Sequence, residues 1–304
     1  MKIFVTGGAG FIGKYLIKKL QDEHELIVYE NFSSSSEKDF SNLFKKSITL
    51  VKGDMTNFPL LKKSLKDVDF VIHLAAKIDI LESIKHPENT HKINVEGSLN
   101  ILRACVENNV KNFISASSAA IYGNPSEIPV SEKTVPNPVS PYGAEKISLE
   151  FYAKAFANAY EMNCISLRFF NVYGKGQSNE YAGVITKFIE KINSNQSLII
   201  FGDGENTRDF IHVEDLVDGI IQSITKIEGK KGNVYNLASG KSTSIKELAT
   251  LMISISKKDL KMDFVEPRSG DLLHSAASIE LATEDLSFKP KISLEDGLSV
   301  LMNE

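Results

Sequence analysis

The glycine-rich stretch Thr6–Gly13 constrains the fold of this chain more than any other part of the sequence. It follows a short β-rich run, Lys2–Thr6, and leads into a predicted helix. Gly8, Gly10 and Gly13 have the G-x-G-x-x-G spacing, which lets the backbone turn tightly and approach a pyrophosphate at a helix N-terminus. The stretch therefore predicts a strand, a dinucleotide-binding loop and a helix of an α/β fold.

The same glycines nearly form a different phosphate-binding motif. Gly8, Gly13 and Lys14 match a P-loop, but Tyr15 follows, where a P-loop needs Ser or Thr to hold Mg²⁺. Glu30 ends the second predicted strand, where an acidic side chain can accept from the adenosine ribose hydroxyl and repel a 2′-phosphate. The sequence therefore excludes the ATPase class and favours NAD over NADP, with a solvated strand-end Glu30 as the alternative.

Strands and helices alternate through the first half of the chain, which predicts a doubly wound parallel sheet of the Rossmann type. Five prolines between positions 125 and 141 predict a long irregular segment of the kind that often carries function. The predicted strands are 2–6, 26–29, 48–51, 70–74, 112–115 and 164–169, and the predicted helices are 10–21, 59–65, 90–108 and 140–160.

Beyond residue 170 the pattern loosens and indicates a smaller, interleaved α/β lobe. We predict a dinucleotide-binding domain at 1–170, rejoined by part of 205–240, and a second lobe at 171–304. The predicted elements of the second lobe are helices 182–192, 213–224, 244–255 and 294–302 and strands 198–201 and 234–237.

Composition is that of a soluble globular protein, with 42% apolar and 24% charged residues. The net charge of −4 argues against a general nucleic-acid partner, and the sequence has no apolar run long enough for a membrane helix or a signal peptide. Cys105 and Cys164 lie in separate apolar segments and are expected to be reduced thiols, which favours a cytoplasmic location. The six histidines have no metal-ligand spacing, so we expect no metal.

A tyrosine and a lysine lie four residues apart at the start of the predicted helix after the proline-rich segment. Tyr142 and Lys146 would share one helix face, and a nearby ammonium group favours the phenolate and lowers the phenol pKa from its ordinary value of about 10. Tyr15 and Lys19 have the same spacing. The spacing alone therefore leaves open the alternative that Tyr142 and Lys146 share a helix face without a catalytic role.

Eight short motifs, in order along the chain, resemble the extended short-chain dehydrogenase/reductase family. Within it they are most similar to NAD-dependent nucleotide-sugar epimerases of the UDP-glucose and UDP-N-acetylglucosamine 4-epimerase type. The motifs occupy 53–55, 73–76, 94–97, 117–123, 142–146, 168–174, 208–213 and 268–271. The resemblance therefore covers nearly the whole chain.

The resemblance implies that Ser118 hydrogen-bonds the reacting sugar oxygen, Tyr142 is the base and acid, and Lys146 holds the nicotinamide ribose. The cofactor-binding residues that we expect, besides Tyr142 and Lys146, are Gly7, Gly10, Phe11, Ile12, Gly13, Glu30, Asn31, Asp54, Met55, Leu74, Ala75, Ala76 and Asn94. Those expected to bind the nucleotide sugar, besides Ser118, are Asn171, Val184, Phe201, Arg208, Arg268, Asp271 and Ser275. An ion pair of Arg208 with Asp209 or Glu214 is the alternative for that cation.

The implied activity is 4-epimerisation of UDP-hexoses, in which C4 is oxidised to a 4-keto intermediate and reduced again with NAD as cofactor. Ser275 stands where family members restricted to glucose and galactose have a bulky aromatic, so N-acetylated hexoses are expected to be accepted too. Ser278 departs from the Asp of many relatives. A homodimer through helix 90–108 and the Tyr142 helix is expected.

Two alternatives to a 4-epimerase can be judged from particular residues of the sequence. Related dehydratases and decarboxylases have an acidic residue directly after the hydroxyl residue, whereas Ala119 and Ala120 follow Ser118 here. Another redox relative, a 4-ketoreductase, stays open. A catalytically silent NAD-binding module is expected to lack the tyrosine or the lysine, and this chain has both.

Overall fold

A parallel sheet forms the centre of the larger part of the protein. The structure is a computed structural model that describes residues 1–43, 48–177, 183–267 and 273–303. Its strands are β1 (Lys2–Thr6), β2 (Glu25–Glu30), β3 (Thr49–Lys52), β4 (Phe70–His73), β5 (Asn112–Ser118), β6 (Asn163–Phe169), β7 (Asn171–Tyr173), β8 (Leu198–Phe201), β9 (Thr207–His212), β10 (Lys231–Leu237), β11 (Ser242–Ser244) and β12 (Met262–Val265).

Seven of these strands pair in the order β10-β6-β5-β4-β1-β2-β3, and all their pairings are parallel. The register aligns Thr6 of β1 with Tyr29 of β2 and with His73 of β4. Every residue of β4 is buried, as expected of a strand that is covered on both faces. The predicted doubly wound parallel sheet is confirmed.

Helices cover both faces of this sheet. In chain order, the α-helices of the described residues, including those of the smaller part, are α1 (Phe11–Leu20), α2 (Glu37–Leu43), α3 (Phe58–Ser64), α4 (Ile80–Lys85), α5 (Pro87–His91), α6 (Ser98–Glu107), α7 (Pro141–Ala159), α8 (Val184–Asn193), α9 (Val213–Thr225), α10 (Ile245–Ser256), α11 (Glu280–Leu286) and α12 (Leu294–Asn303). The faces of α1, α9 and α11 enter one apolar core and those of α3, α6 and α7 enter another. Across the described ranges, no helix is long and apolar enough to cross a membrane.

A smaller apolar core lies among α8, α10, α12 and the short strands. There β8 pairs with β12, and β9 pairs with β7 and β11. Between β9 and β11 the chain returns to the large sheet, where β10 pairs with β6. The irregular order of the short strands explains why periodic patterns are weak in the sequence beyond residue 170.

Some element boundaries differ from the predictions. The helix predicted at 90–108 is divided into α5, a π-helical segment at Lys92–Gly97, and α6. Such segments often mark functional sites. Strand β5 extends to Ser118 instead of ending at 115, so Ser118 lies at the carboxyl edge of the sheet. A short helix that was not predicted, α2, directly follows the serines at 33–36.

One ion pair is buried between α7 and the sheet. Arg168 of β6 and Glu150 of α7 are 2.8 Å apart, and their side chains are 4% and 8% exposed. Glu150 also accepts a 2.5 Å hydrogen bond from Ser117, and Arg168 donates to the Tyr122 hydroxyl at 2.8 Å. The pair therefore ties α7 to the ends of β5 and β6.

We expect Arg168→Met to lower the free energy of unfolding by about 3–5 kcal/mol, because it leaves the Glu150 charge buried without its partner. The double variant with Glu150→Met should recover most of that loss. Lys62→Met is the control, since Lys62 pairs with Glu107 at an exposed site and should cost less than about 1 kcal/mol. Urea unfolding measures all three; a loss in Arg168→Met as small as in Lys62→Met would contradict the assignment.

Candidate functional site

The carboxyl ends of the parallel strands open into one continuous cavity of about 1190 Å³. It extends from the glycine loop, past Ser118 and Tyr142, to Phe201 and Arg208. This volume exceeds the roughly 300–1,000 Å³ typical of a site for one drug-sized ligand. The cavity is therefore large enough for a dinucleotide and a second ligand side by side.

The glycine loop forms one end of the cavity and fits a pyrophosphate. Gly7 has a φ of +70°, and a Cβ there would lie 2.7 Å from the backbone nitrogen of Ala75. A Cβ on Gly13 would overlap the carbonyl oxygen of Gly7, so α1 could not approach the loop as closely. Gly10 is the N-cap of α1 and supplies no side-chain cap, which leaves the N–H groups of the first turn available to an anion.

Glu30 lies at the end of β2 beside this loop, as predicted. Its carboxylate accepts hydrogen bonds from the backbone N–H groups of Ala9, Asn31 and Phe32 at 3.0–3.2 Å. The Asn31 amide donates to Asp54 at 2.9 Å. Burial alone would raise the pKa of Asp54, but hydrogen bonds from Thr56 and Asn31 outweigh it and lower that pKa. Two carboxylates therefore line the cavity at the end formed by the glycine loop.

A buried histidine fixes the loop that follows β4. His73 is fully buried, which lowers its pKa to about 3 and keeps the ring neutral. Ser98 donates to the Asn94 carbonyl, so His73 Nε2 must donate to Ser98 Oγ at 2.9 Å, and His73 Nδ1 accepts from Thr6 Oγ1 at 2.7 Å. Thr6 Oγ1 in turn accepts from the backbone N–H of Ala75 at 3.2 Å. This chain of bonds holds the Ala75 backbone against Gly7.

Helix α7 brings Tyr142 and Lys146 to the middle of the cavity. Ser140 caps the helix by accepting from the Gly143 N–H at 3.2 Å, and Pro141 occupies its first position. Lys146 Nζ donates to the Ala116 carbonyl at 2.8 Å and lies 5.8 Å from the centroid of the Tyr142 ring. All three predicted catalytic residues line the cavity wall, Ser118 included.

The electrostatics of these residues correct one expectation. Burial raises the pKa of the Tyr142 phenol to about 12; a hydrogen bond with Ser118 lowers it, and the charge of Glu145 raises it. Burial also lowers the pKa of Lys146 to about 8, against the opposing charges of Glu145 and Glu150. The low phenol pKa that we expected is therefore not found in the protein alone, because desolvation of the phenolate raises it.

Most other predicted site residues also line the cavity. They are Gly7, Gly10, Phe11, Ile12, Gly13, Glu30, Asn31, Asp54, Met55, Leu74, Ala75, Ala76, Asn171, Val184, Phe201 and Arg208. Asp209, one of the two suggested partners of Arg208, is fully buried and accepts from Ser239, Gly240 and Ala277. Arg268 and Asp271 lie outside the described residues.

Two predicted site residues are not on the cavity wall. Asn94 is buried behind the wall, and its amide bonds the backbone N–H and carbonyl of Lys77, both at 2.8 Å. Asn94 therefore contacts the cavity wall through Lys77 rather than lining it. Ser275 is 9% exposed and donates its N–H to the Thr207 carbonyl at 3.1 Å, so it packs beside the residue that precedes Arg208.

Sequence reasoning missed several wall residues. Lys77 directly follows the 73–76 motif, so its position alone could have identified it. Asn206 and the α8 residue Lys187 also line the cavity, but no spacing in the sequence connects them with the glycine loop. Only the packing of the smaller core against the sheet brings them there.

Comparison with known proteins places the chain in one group of enzymes. The model of the family described as "NAD dependent epimerase/dehydratase family" matches residues 3–238. The UDP-glucose 4-epimerase of Mycolicibacterium smegmatis is 32% identical over 305 residues, covering 98% of this chain and 96% of the relative.

Solved structures are similar over the whole chain. The UDP-N-acetylglucosamine 4-epimerase of Methanobrevibacter ruminantium M1, in complex with UDP-N-acetylmuramic acid, has a TM-score of 0.94 at 35% identity and covers 99% of this chain and 97% of its own. The UDP-glucose 4-epimerase of Thermotoga maritima with UDP-glucose has a TM-score of 0.93 at 34% identity and covers 100% and 98%.

Replacing Glu30 tests the adenosine end of the cavity. We expect Glu30→Gln to weaken NAD binding by about 1–3 kcal/mol, the range for a polar group that loses its partner. NADP binding should change less or improve, because the carboxylate no longer repels a 2′-phosphate. Calorimetric titration with both dinucleotides measures this, with Glu37→Gln on the exposed α2 as the control. Tighter binding of NADP than NAD by the unchanged protein would refute the role of Glu30.

Proposed function

We propose, from the premise that this chain belongs to the NAD dependent epimerase/dehydratase family, that it is a 4-epimerase of UDP-hexoses. The observation that carries the proposal is the position of Ser118, Tyr142 and Lys146 on one wall, between the glycine loop and the Arg208 end of a single cavity. A group at that position can touch a cofactor on one side and a second ligand on the other. The relatives named as UDP-sugar 4-epimerases support the same substrate class.

The cofactor is NAD, as the family to which the chain belongs requires. When bound, NAD supplies the acceptor and donor of the hydride that is exchanged with the sugar. The N–H groups at the start of α1 would hold its pyrophosphate, and Glu30 its adenosine ribose. Lys146 would hold the nicotinamide ribose.

The residues of the chain then have distinct parts in the reaction. Tyr142 accepts the proton of the sugar C4 hydroxyl. It returns the proton after the sugar has turned and presents its opposite face. Ser118, which hydrogen-bonds Tyr142, orients the same oxygen. Arg208 pairs with the diphosphate, for which its planar guanidinium is suited, while the sugar turns.

The distribution of carboxylates favours an epimerase over a dehydratase or decarboxylase. Ala119 and Ala120 follow Ser118 in a 3₁₀ turn, and neither can move a proton. Among the described residues of the cavity wall, the carboxylates are Glu30, Asp39, Asp54 and Glu190, on the adenosine side and on α8. The acid that a dehydratase needs beside the tyrosine is therefore absent from this part of the wall.

The acceptance of N-acetylated hexoses is part of the proposal. It is supported by the UDP-N-acetylglucosamine 4-epimerase among the similar structures, whereas Ser275 lies beside Thr207 and off the cavity wall. The proposal also includes a homodimer through α6 and α7, supported by the exposure of Phe151 and Tyr152 on α7. A cytoplasmic location is supported by the free, buried thiols of Cys105 and Cys164.

The activity is tested by incubating the protein and NAD with UDP-glucose, UDP-galactose and their N-acetylated forms, and following C4 inversion by NMR. Tyr142→Phe should lower the rate at least roughly 10²–10⁴-fold, the contribution of general acid–base catalysis, and leave NAD binding nearly unchanged. Tyr15→Phe is the matched control, because Tyr15 also stands four residues before a lysine but donates to the Lys175 carbonyl. It should retain near-normal activity.

Three outcomes would overturn parts of this proposal. Inversion in Tyr142→Phe at near-normal rates would remove Tyr142 from the mechanism. Loss of water from the sugar without inversion would identify a dehydratase. Inversion of UDP-glucose but not of UDP-N-acetylglucosamine would restrict the substrate to unsubstituted hexoses.

A further inference from the structure

We propose that Glu145, which has no part in the mechanism above, positions Lys146 and the loop after β4 and sets the pH range in which Tyr142 and Lys146 work. Only the kinetic test of this inference rests on the proposed function. Glu145 lies between the two catalytic residues of α7 in sequence, but its side chain points away from the cavity. It does not touch the cavity wall and is a positioning residue.

The carboxylate of Glu145 is held in a closed, buried network. Glu145 is 5% exposed, and its two carboxylate oxygens accept hydrogen bonds from Thr90 Oγ1 and from Asn94 Nδ2, both at 2.7 Å. Thr90 and Asn94 belong to α5 and to the π-helical segment, which pack against α7. An acidic side chain that is buried this far must gain more than packing from its charge.

The same network continues to the cavity through Asn94. The Asn94 amide donates to Glu145 and to the Lys77 carbonyl, and its oxygen accepts from the Lys77 N–H. Lys77 lines the cavity directly after Ala76. One side chain therefore connects the helix that carries Tyr142 and Lys146 to the loop that forms the opposite side of the site.

The charge of Glu145 acts on both catalytic residues. It raises the pKa of Lys146, against the lowering by burial, and it raises the pKa of Tyr142. Other charged or titratable groups face this region from the packed elements. They are Glu150 of α7, which is paired with Arg168 of β6, neutral His73 of β4, Lys77 of the following loop, and Glu88 and His91 of α5, which share a surface pocket with Glu145.

The sign of the effect follows directly. The reaction needs Tyr142 as the phenolate when it accepts a proton and Lys146 as the ammonium. Removing the Glu145 charge lowers both pKa values, so the acidic and the alkaline limbs of the pH profile should both move to lower pH. A merely structural loss would reduce the rate at every pH and leave the limbs in place.

Glu145→Gln is the central variant because it keeps the shape of the network. Its oxygen can still accept from Asn94, and its amide can donate to Thr90, whose hydroxyl also donates to the Pro87 carbonyl at 3.2 Å. Titration of protein labelled with [¹³Cε]lysine reports Lys146 without any substrate, and Lys146→Met assigns the signal. Lys146 should titrate at about 8 in the unchanged protein and at roughly 7 or below in Glu145→Gln.

Thr90→Val is the matched control, since it removes a hydrogen bond to Glu145 and keeps the charge. Lys146 should titrate in it as in the unchanged protein. If Glu145→Gln does not fold, Glu145→Ser, which is also uncharged and leaves room for water, gives the same comparison. If the pKa of Lys146 in Glu145→Gln or Glu145→Ser is the same as in Thr90→Val, the proposal is wrong.

The pH dependence of kcat/KM for UDP-glucose is the second measurement. Both limbs should lie at lower pH in Glu145→Gln and should be unmoved in Thr90→Val. A lower rate with unmoved limbs would make Glu145 a structural residue only. If no UDP-sugar is turned over by the unchanged protein, the proposed function fails, while the lysine titration still decides the role of Glu145.

Discussion

The parallel alignment of seven strands is the constraint on which the rest of the structure depends, because it brings all their carboxyl ends to one edge of the sheet. Backbone and side-chain groups from distant parts of the chain meet there. Gly7 contacts the backbone at Ala75, and Ser118 at the end of β5 is aligned with Phe169 at the end of β6. The cavity is therefore a consequence of strand direction, and the two smaller sheets only close its far end.

Burial then determines what the groups at this edge can do. A phenol that is removed from water loses the solvation that stabilises its anion, and the Lys146 ammonium loses solvation in the same place. The protein alone keeps Tyr142 protonated and lowers the pKa of Lys146 to about 8, which leaves the lysine mostly charged at neutral pH. Buried carboxylates counter this for the lysine: Glu145 and Glu150 both favour its charged form. Under the proposed function, proton transfer by Tyr142 therefore needs a further positive charge near the phenol, which bound NAD⁺ would supply.

Local sequence patterns predicted the parts of the protein that depend on local geometry. The glycine loop, Glu30 at the end of β2, and the Tyr142–Lys146 spacing are each set by a few consecutive residues. The family resemblance added Ser118 and Arg208, whose positions on the cavity wall agree with that expectation.

Properties that depend on packing between distant segments were not predictable in this way. The pKa of Tyr142 was expected to fall because a lysine is near in sequence, but burial by other elements raises it. Asn94 was expected at the cofactor, whereas the π-helical segment turns its amide toward Glu145 and Lys77. Ser275 lies beside Thr207 and not on the wall, which no spacing in the sequence indicates.

The central claim is that Tyr142 becomes a base only when the cofactor is bound. NMR titration of protein labelled with [¹³Cζ]tyrosine, with Tyr142→Phe to assign the signal, measures the phenol pKa directly. Without NAD⁺ it should be about 12, and with NAD⁺ it should fall below the ordinary value of about 10, because a positive charge near the ring favours the phenolate. An unchanged pKa on binding NAD⁺, or a value already below the ordinary one in the protein alone, would contradict the account.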